Sequence, residues 1–294
     1  MADNHITQVR RFNRTVAQRI GALDDHFLGR DRPLSQARLL FEIGQEGSEV
    51  RHLRGRLDLD SGYLSRLLRS LEAQGLVVVG PAADDGRVRH VRLTAAGQVE
   101  VAELDRRSDG IARSILAPLS RSQRDRLIAA MAEVDRLLEA SCVVIQMEAP
   151  TTADARYCLD AYYRELDRRF EHGFDLTSTV SPAADEMVPP NGVFLVARLH
   201  GRPIGCGGLK TNAPGVGLIK RMWVAGSARG LGVGRRLLEA LEDRARGLGM
   251  RAVQLDTNRA LDEAQAMYRK YGYREVAPFN DEPYSHLWFE KTLG

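Results

Sequence analysis

The sequence predicts two domains: a mainly helical first half containing one β-hairpin, then an α/β half with a mixed central sheet. Three observations carry this. The length, 294 residues, suits two ordinary domains. Apolar residues recur at helical spacing through most of residues 5–141. From "CVVIQM" (142–147) onward, strand-like and helix-like runs alternate. The boundary is therefore expected at 141/142, giving domains 1–141 and 142–294.

In the first half a long helix is expected over about 5–28, then helical runs at 34–47, 49–60 and 61–77. "LVVVGPAADDGRVRHVRL" (76–93) places two β-rich runs around a Pro/Ala/Asp/Gly turn, a hairpin by composition. Helical pattern resumes at Thr94 and runs to about Ala140, broken around Pro118. In the second half, helix 153–172 precedes strands at 193–199 and 203–210, joined by the turn His200–Gly201–Arg202. Strand 216–224, helix 233–248, strand 251–257, helix 261–271 and strands at 273–276 and 286–291 complete the pattern. Helices are expected on both faces of the sheet.

Composition excludes several classes. No apolar run approaches the roughly 18 residues a membrane helix needs, and "MADNHITQVRRFN" has no apolar signal core. Cys142, Cys158 and Cys206 are scattered and lack C-x-x-C spacing. Neither a disulfide frame nor a structural metal is expected, and a reduced, cytoplasmic setting is. The net charge of +3 argues only weakly for nucleic acid. Its distribution argues better: residues 51–92 hold eight arginines against five acids.

"ARGLGVGRRLLEALEDRA" (228–245) sets Gly230, Gly232 and Gly234 between the strand "LIKRMWV" and an amphipathic helix whose stripe is Leu237, Leu241, Ala245 and Leu248. A helix start free of side chains aims unpaired N–H groups and the positive dipole end outward, which makes an anion cradle. The competing reading is a turn that lets strand and helix pack closely. Arg235 and Arg236 follow Gly234, so this is neither a Walker A loop nor a dinucleotide fingerprint.

In "DSGYLSRLLRSLEAQGLV", Leu64, Leu67, Leu68 and Leu71 form one buried face. Ser61, Gly62, Tyr63, Ser65, Arg66 and Arg69 lie off that stripe, and short hydroxyl and arginine side chains there suit base edges and phosphates. Three helices followed by "DDGRVRHVRLTAAG" resemble the winged helix of MarR-type regulators. Asp85, Arg87, Leu93, Thr94 and Gly97 fall on that family's wing motif. The resemblance covers about residues 5–140 and implies a homodimer on double-stranded DNA with a pseudo-palindromic operator. It places Arg87 in the minor groove, braced by Asp85, and the helix from Ser61 in the major groove.

The second half resembles GNAT acetyltransferases through three separated motifs: R-G-L-G-V-G at 229–234, "VQLDTN", and "AQAMYRKYGYREV". The resemblance implies acetyl-CoA as cosubstrate and transfer to an amine of a small molecule or peptide. It assigns pyrophosphate to the turn Arg229, Gly230, Leu231, Gly232, Val233 and Gly234, and pantetheine to the strand end Met222, Trp223 and Val224. Tyr268, ten residues past Asn258, would protonate the leaving thiolate as general acid. The other reading of Tyr268 is a packed helix tyrosine beside Tyr271 and Tyr273. Asn258 either contacts the cofactor or caps the next helix.

One departure stands out. Leu218 occupies the strand position where many relatives carry a glutamate. A base must then be water, or Glu171, Asp256 or Glu282, or the amine arrives neutral. Two alternatives follow: a regulator whose GNAT half senses acetyl-CoA without efficient turnover, and an acetyltransferase whose winged helix is only a scaffold.

Overall fold

The computed structural model describes residues 2–22, 26–81, 88–179 and 184–294. Its helix α1 (Ala2–Arg19) ends well before residue 28, because Gly21 takes a left-handed φ of 69° and the helical ladder stops there. Next come α2 (Leu34–Ile43), β1 (Ser48–Glu49), α3 (Val50–Leu57) and α4 (Ser61–Ala73). Strands β2 (Val77–Pro81) and β3 (Arg89–Leu93) precede α5 (Ala95–Leu116) and α6 (Arg121–Ser141). Leu39, Leu40 and Ile43 of α2 bury against Leu53, Leu64, Leu68, Leu71 and Leu104.

Asp60 caps α4 by accepting from the Tyr63 N–H at 2.8 Å. Thr94 caps α5 from Gly97 N–H at 3.0 Å and donates to the Gly75 carbonyl at 2.6 Å. A Cβ on Gly97 would lie 2.0 Å from the Leu76 carbonyl oxygen, so the Leu-Thr-x-x-Gly run docks α5 closely on the end of α4. Glu49, read as the start of a helical run, instead pairs with Ser48 onto β3, giving a three-stranded sheet ordered β1-β3-β2. Asp85 and Arg87 lie outside the described residues.

The second region runs β4 (Val143–Met147), α7 (Ala153–Arg169), β5 (Gly192–Leu199), β6 (Arg202–Ala213) and β7 (Val216–Val224). Then follow α8 (Val233–Gly247), β8 (Ala252–Thr257), α9 (Asp262–Lys270), β9 (Arg274–Val276) and β10 (Leu287–Thr292). The seven-stranded sheet is ordered β4-β5-β6-β7-β8-β10-β9. Its β7–β8 pair is parallel and the others antiparallel. Alternation along β5 separates the two faces. Phe194 and Val196 pack with Ala155 and Cys158 of α7, whereas Val193, Leu195 and Ala197 join the core of Leu237, Leu241 and Tyr268 from α8 and α9.

The chain divides into two compact units, Met1–Met131 and Ala132–Gly294, so the division falls within α6. The last turn of α6 belongs with the second unit because Arg236 donates to the Ala140 and Val143 carbonyls at 2.8 and 2.7 Å.

Candidate functional site

The site begins where two strands part. The β7–β8 ladder runs from Val216 opposite Ala252 to Ile219 opposite Leu255 and stops. Beyond it, β8 stays with β10 and β7 stays with β6, leaving Lys220–Val224 without a strand partner on the β8 side. A bulge accompanies the splay. Gly208 pairs with Lys220 but Cys206 with Trp223, and Arg221 takes a positive φ of 59°. Such a bulge re-aims the side chains that follow it and exposes backbone polar groups to a ligand.

The glycine turn lies just past the end of β7. Gly230 (φ 87°) and Gly232 (φ 73°) have left-handed backbone, and a Cβ on either would meet open space. Close packing therefore does not explain them. Gly234 differs: a Cβ there would come 3.1 Å from Met267 Sδ, so this one does serve packing. The N–H groups of Gly230, Gly232, Val233, Gly234 and Arg235 find no acceptor among the described residues. Together they form a concave row of donors at the α8 N-terminus, suited to a phosphate.

A groove of about 600 Å³ joins the turn to the splayed strand. It brings together Met222, Trp223, Val224, Arg229, Gly230, Gly232, Val233, Gly234 and Tyr268. Two expected residues do not line it. Leu231 is packed in the core, and Asn258 lies in an adjoining cavity. The Asn258 side chain donates to Tyr284 O at 2.7 Å and accepts from Ala260 N–H at 2.9 Å, so both ends of its amide are used inside the protein. Arg229 pairs with Glu165, which also accepts from Trp223 Nε1 at 3.0 Å. Burial alone would raise the Glu165 carboxyl; bonds from Arg229 and Trp223 carry it below the usual range. Sequence reasoning missed Tyr162 and Glu165 of α7, and read Arg235 only as a mismatch to other motifs. All three line the groove.

The adjoining cavity, about 90 Å³, shares Tyr162, Leu166, Met222, Leu261, Ala264 and Tyr268 with the groove. Its charged lining is Lys220, Arg221, Asp256 and Glu282, with Lys220 Nζ 3.1 Å from each carboxylate. Two of the three base candidates are thus within the cavity. Glu171 is not: its side chain is 78% exposed and stands 4.0 Å from Arg259. Leu218 is buried and absent from both linings.

The Tyr268 ring packs 5.8 Å from Tyr273 and 5.9 Å from Phe289, so it is a core tyrosine as well as a groove residue. Its hydroxyl has no hydrogen-bond partner among the described residues. Burial, and next the charge of Asp256, pushes its phenol well above the usual range. The proton therefore stays on Tyr268 throughout ordinary working pH.

In the first unit, Ser61, Arg66 and Arg69 are exposed on α4, while Tyr63 and Ser65 are half-buried beside them. Arg66 lies over the Tyr63 ring at 5.7 Å. A concavity of about 360 Å³ opens beside Ser61 and Ser65, and Arg51, Arg54 and Arg89 also line it. The first two belong to α3, which sequence analysis treated only as part of a basic region.

Comparison with known proteins agrees with both halves. Residues 159–273 match the Acetyltransferase (GNAT) family and residues 30–88 the MarR family. An IAA acetyltransferase of Azospirillum brasilense is 38% identical over 133 residues, spanning 44% of this chain and 86% of the relative. An uncharacterised N-acetyltransferase of Schizosaccharomyces pombe is 32% identical over 130 residues, 41% of this chain and 80% of its own. A GNAT-family acetyltransferase structure from Staphylococcus aureus is 18% identical, covering 52% of this chain and 99% of its own, with a TM-score of 0.45.

The chain belongs to the GNAT acetyltransferase family through its C-terminal half, joined to a MarR-family region at its N-terminal side. It is an acetyl-CoA-dependent N-acetyltransferase. The donor row and the unpaired strand edge fit that cosubstrate, whose phosphates need N–H donors and whose pantetheine amides need a free strand. Among the described residues, no helix is long and apolar enough to cross a membrane, and no group of three or more His, Cys, Asp or Glu is placed to hold a metal ion.

Proposed function

We propose that the protein is a DNA-binding transcriptional regulator, residues 1–141, joined to an acetyltransferase, residues 142–294, that acetylates a primary amine. One observation carries the enzymatic part: the β7–β8 splay has an N–H cradle at one end and a cavity with a carboxylate wall at the other. The turn from Arg229 to Gly234 holds pyrophosphate, and Met222–Val224 presents main-chain groups to pantetheine. Bound acetyl-CoA supplies the acetyl group as a thioester. This chain's residues orient the amine, exclude water at the seam between groove and cavity, and hold a proton on Tyr268 Oη for the departing sulfur. Steady-state release of CoA with an amine panel tests this. Acetyl-CoA binding without acceleration by any amine would favour the sensing alternative, which the buried Leu218 supports.

The regulatory half acts as a homodimer on this reading. Ile6, Val9, Phe12 and Val16 of α1 are exposed, as are Ile128, Met131, Leu137 and Leu138 of α6, a helix with no buried residue. So much apolar surface on the two flanking helices is what a second copy would cover.

On DNA, Arg66→Ala is expected to weaken operator binding by about 1–3 kcal/mol and relax preference at one base position. Arg87→Ala is expected to weaken it through lost groove contact. Binding should fall steeply with salt. Titration of enriched genomic duplexes at several salt concentrations measures all three. Recovery of no enriched sequence by the wild-type protein would refute DNA reading by this half.

A further inference from the structure

The cavity beside the groove holds four charged side chains, Lys220, Arg221, Asp256 and Glu282. Asp256 is fully engaged. Its oxygens accept from Lys220 Nζ at 3.2 and 3.1 Å, from Asn280 Nδ2 at 3.2 Å and from Ser285 Oγ at 2.5 Å. Lys220 is engaged too, between Asp256 and Glu282. Glu282 is not. Its Oε2 accepts from Lys220 at 3.1 Å and Thr179 Oγ1 at 3.4 Å, but its Oε1 is buried with no partner among the described residues. An unpaired carboxylate oxygen costs stability in a residue 7% exposed, and a ligand donor would relieve that cost.

Part of the lining is aromatic. Phe174 lies 5.7 Å from Tyr163, 5.9 Å from Phe170 and 4.9 Å from Tyr284. Aromatic faces beside a carboxylate favour an ammonium group over an anion. The cavity, about 90 Å³, shares Tyr162, Leu166, Met222 and Tyr268 with the groove, so an amine held there lies next to the cosubstrate site.

We infer that Glu282 Oε1 receives the acceptor nitrogen, and that the acceptor is a primary amine on an apolar stem. This rests on the acetyltransferase reading above. It replaces the carboxylate missing at Leu218 with one reached from the segment between β9 and β10.

The test titrates the full chain with n-butylamine by calorimetry near neutral pH, using n-butanol and butyrate as comparisons. The wild type is expected to bind n-butylamine and to prefer it to both. Glu282→Gln, checked for folding by its melting transition, should bind n-butylamine about 10- to 100-fold more weakly, the value of one charge-assisted hydrogen bond. In steady state, KM for the amine should rise by a similar factor while KM for acetyl-CoA stays unchanged, because Glu282 does not line the groove. Should Glu282→Gln fail to fold, Glu282→Asp keeps the charge but withdraws the oxygen by one methylene, and should weaken binding likewise.

Wild-type affinity in a folded Glu282 variant, or no n-butylamine binding by the wild type, would overturn the assignment. Equal or tighter binding of butyrate or n-butanol would overturn the substrate class. Either result is compatible with acetylation of another amine. Failure to bind acetyl-CoA would instead remove the acetyltransferase reading, while amine binding still reports on Glu282.

Discussion

Tyr268→Phe is expected to slow acetyl transfer by roughly 10²–10⁴-fold, with acetyl-CoA affinity and the amine KM little changed. The ring packs against Tyr273 and Phe289, and Phe preserves those contacts. The hydroxyl has no partner among the described residues to lose, so the substitution removes a proton donor and little else. A phenol pushed up by burial is a weak acid. The same burial raises a thiolate beside it, so donor and leaving group stay matched.

The pH dependence has a definite sign. Because the Tyr268 pKa is raised, the protonated form needed for catalysis persists at higher pH than for a free phenol, whose pKa is about 10. Activity should therefore climb with pH as the amine loses its proton, with no falling limb from Tyr268 near neutrality. The measurements are kcat and KM of both proteins across pH, in the presence of a working amine. Wild-type kcat in Tyr268→Phe would remove Tyr268 from the mechanism. A plateau well below the amine's own pKa would assign a base to an enzyme group.

Gly232→Val should cost acetyl-CoA binding roughly 10²–10⁴-fold, the loss of about two charge-assisted hydrogen bonds. Two effects add. At φ 73° a β-branched residue is strained, which tilts the donor row. Its methyl groups also enter open space where the phosphates would approach. Gly232→Ala carries much of the strain with less bulk and should fall between variant and wild type. Calorimetry on folded full-length protein decides it. Unchanged affinity in Gly232→Val would refute phosphate binding at this turn. Gly234 is a poorer probe, because a substituent there strikes Met267 and would disturb packing first.

Much of this molecule is legible locally. The Leu64/Leu67/Leu68/Leu71 stripe is a helix face whatever surrounds it, and all four are buried. The β7–turn–α8 run is readable because three glycines before an amphipathic helix have few other uses. Where the sequence expectation missed, the deciding contact was small or distant. β1 is two residues long, too short for any periodicity, and exists only because β3 lies alongside. Glu165 enters the groove through Arg229, 64 residues away, and nothing in the local pattern of α7 marks it.

The amino-acid sequence by itself determined the two-part organisation, the glycine turn at the start of α8 and the exposed polar face of α4. Each depends on spacing within one or two elements, and side-chain period and glycine placement act over a few residues. Tertiary structure alone decided which glycines face solvent and which face Met267, since that depends on how α9 lies against α8. It also decided which carboxylate meets the acceptor. Asp256, Glu282 and Glu171 are equivalent as sequence. Folding saturates Asp256 with donors, leaves Glu171 in solvent, and buries Glu282 with one oxygen unpaired. Lys220 meets Asp256 across 36 residues and Glu282 across 62. Charge balance at that distance is a property of the packed chain, because only desolvation makes an unpaired oxygen costly enough to matter.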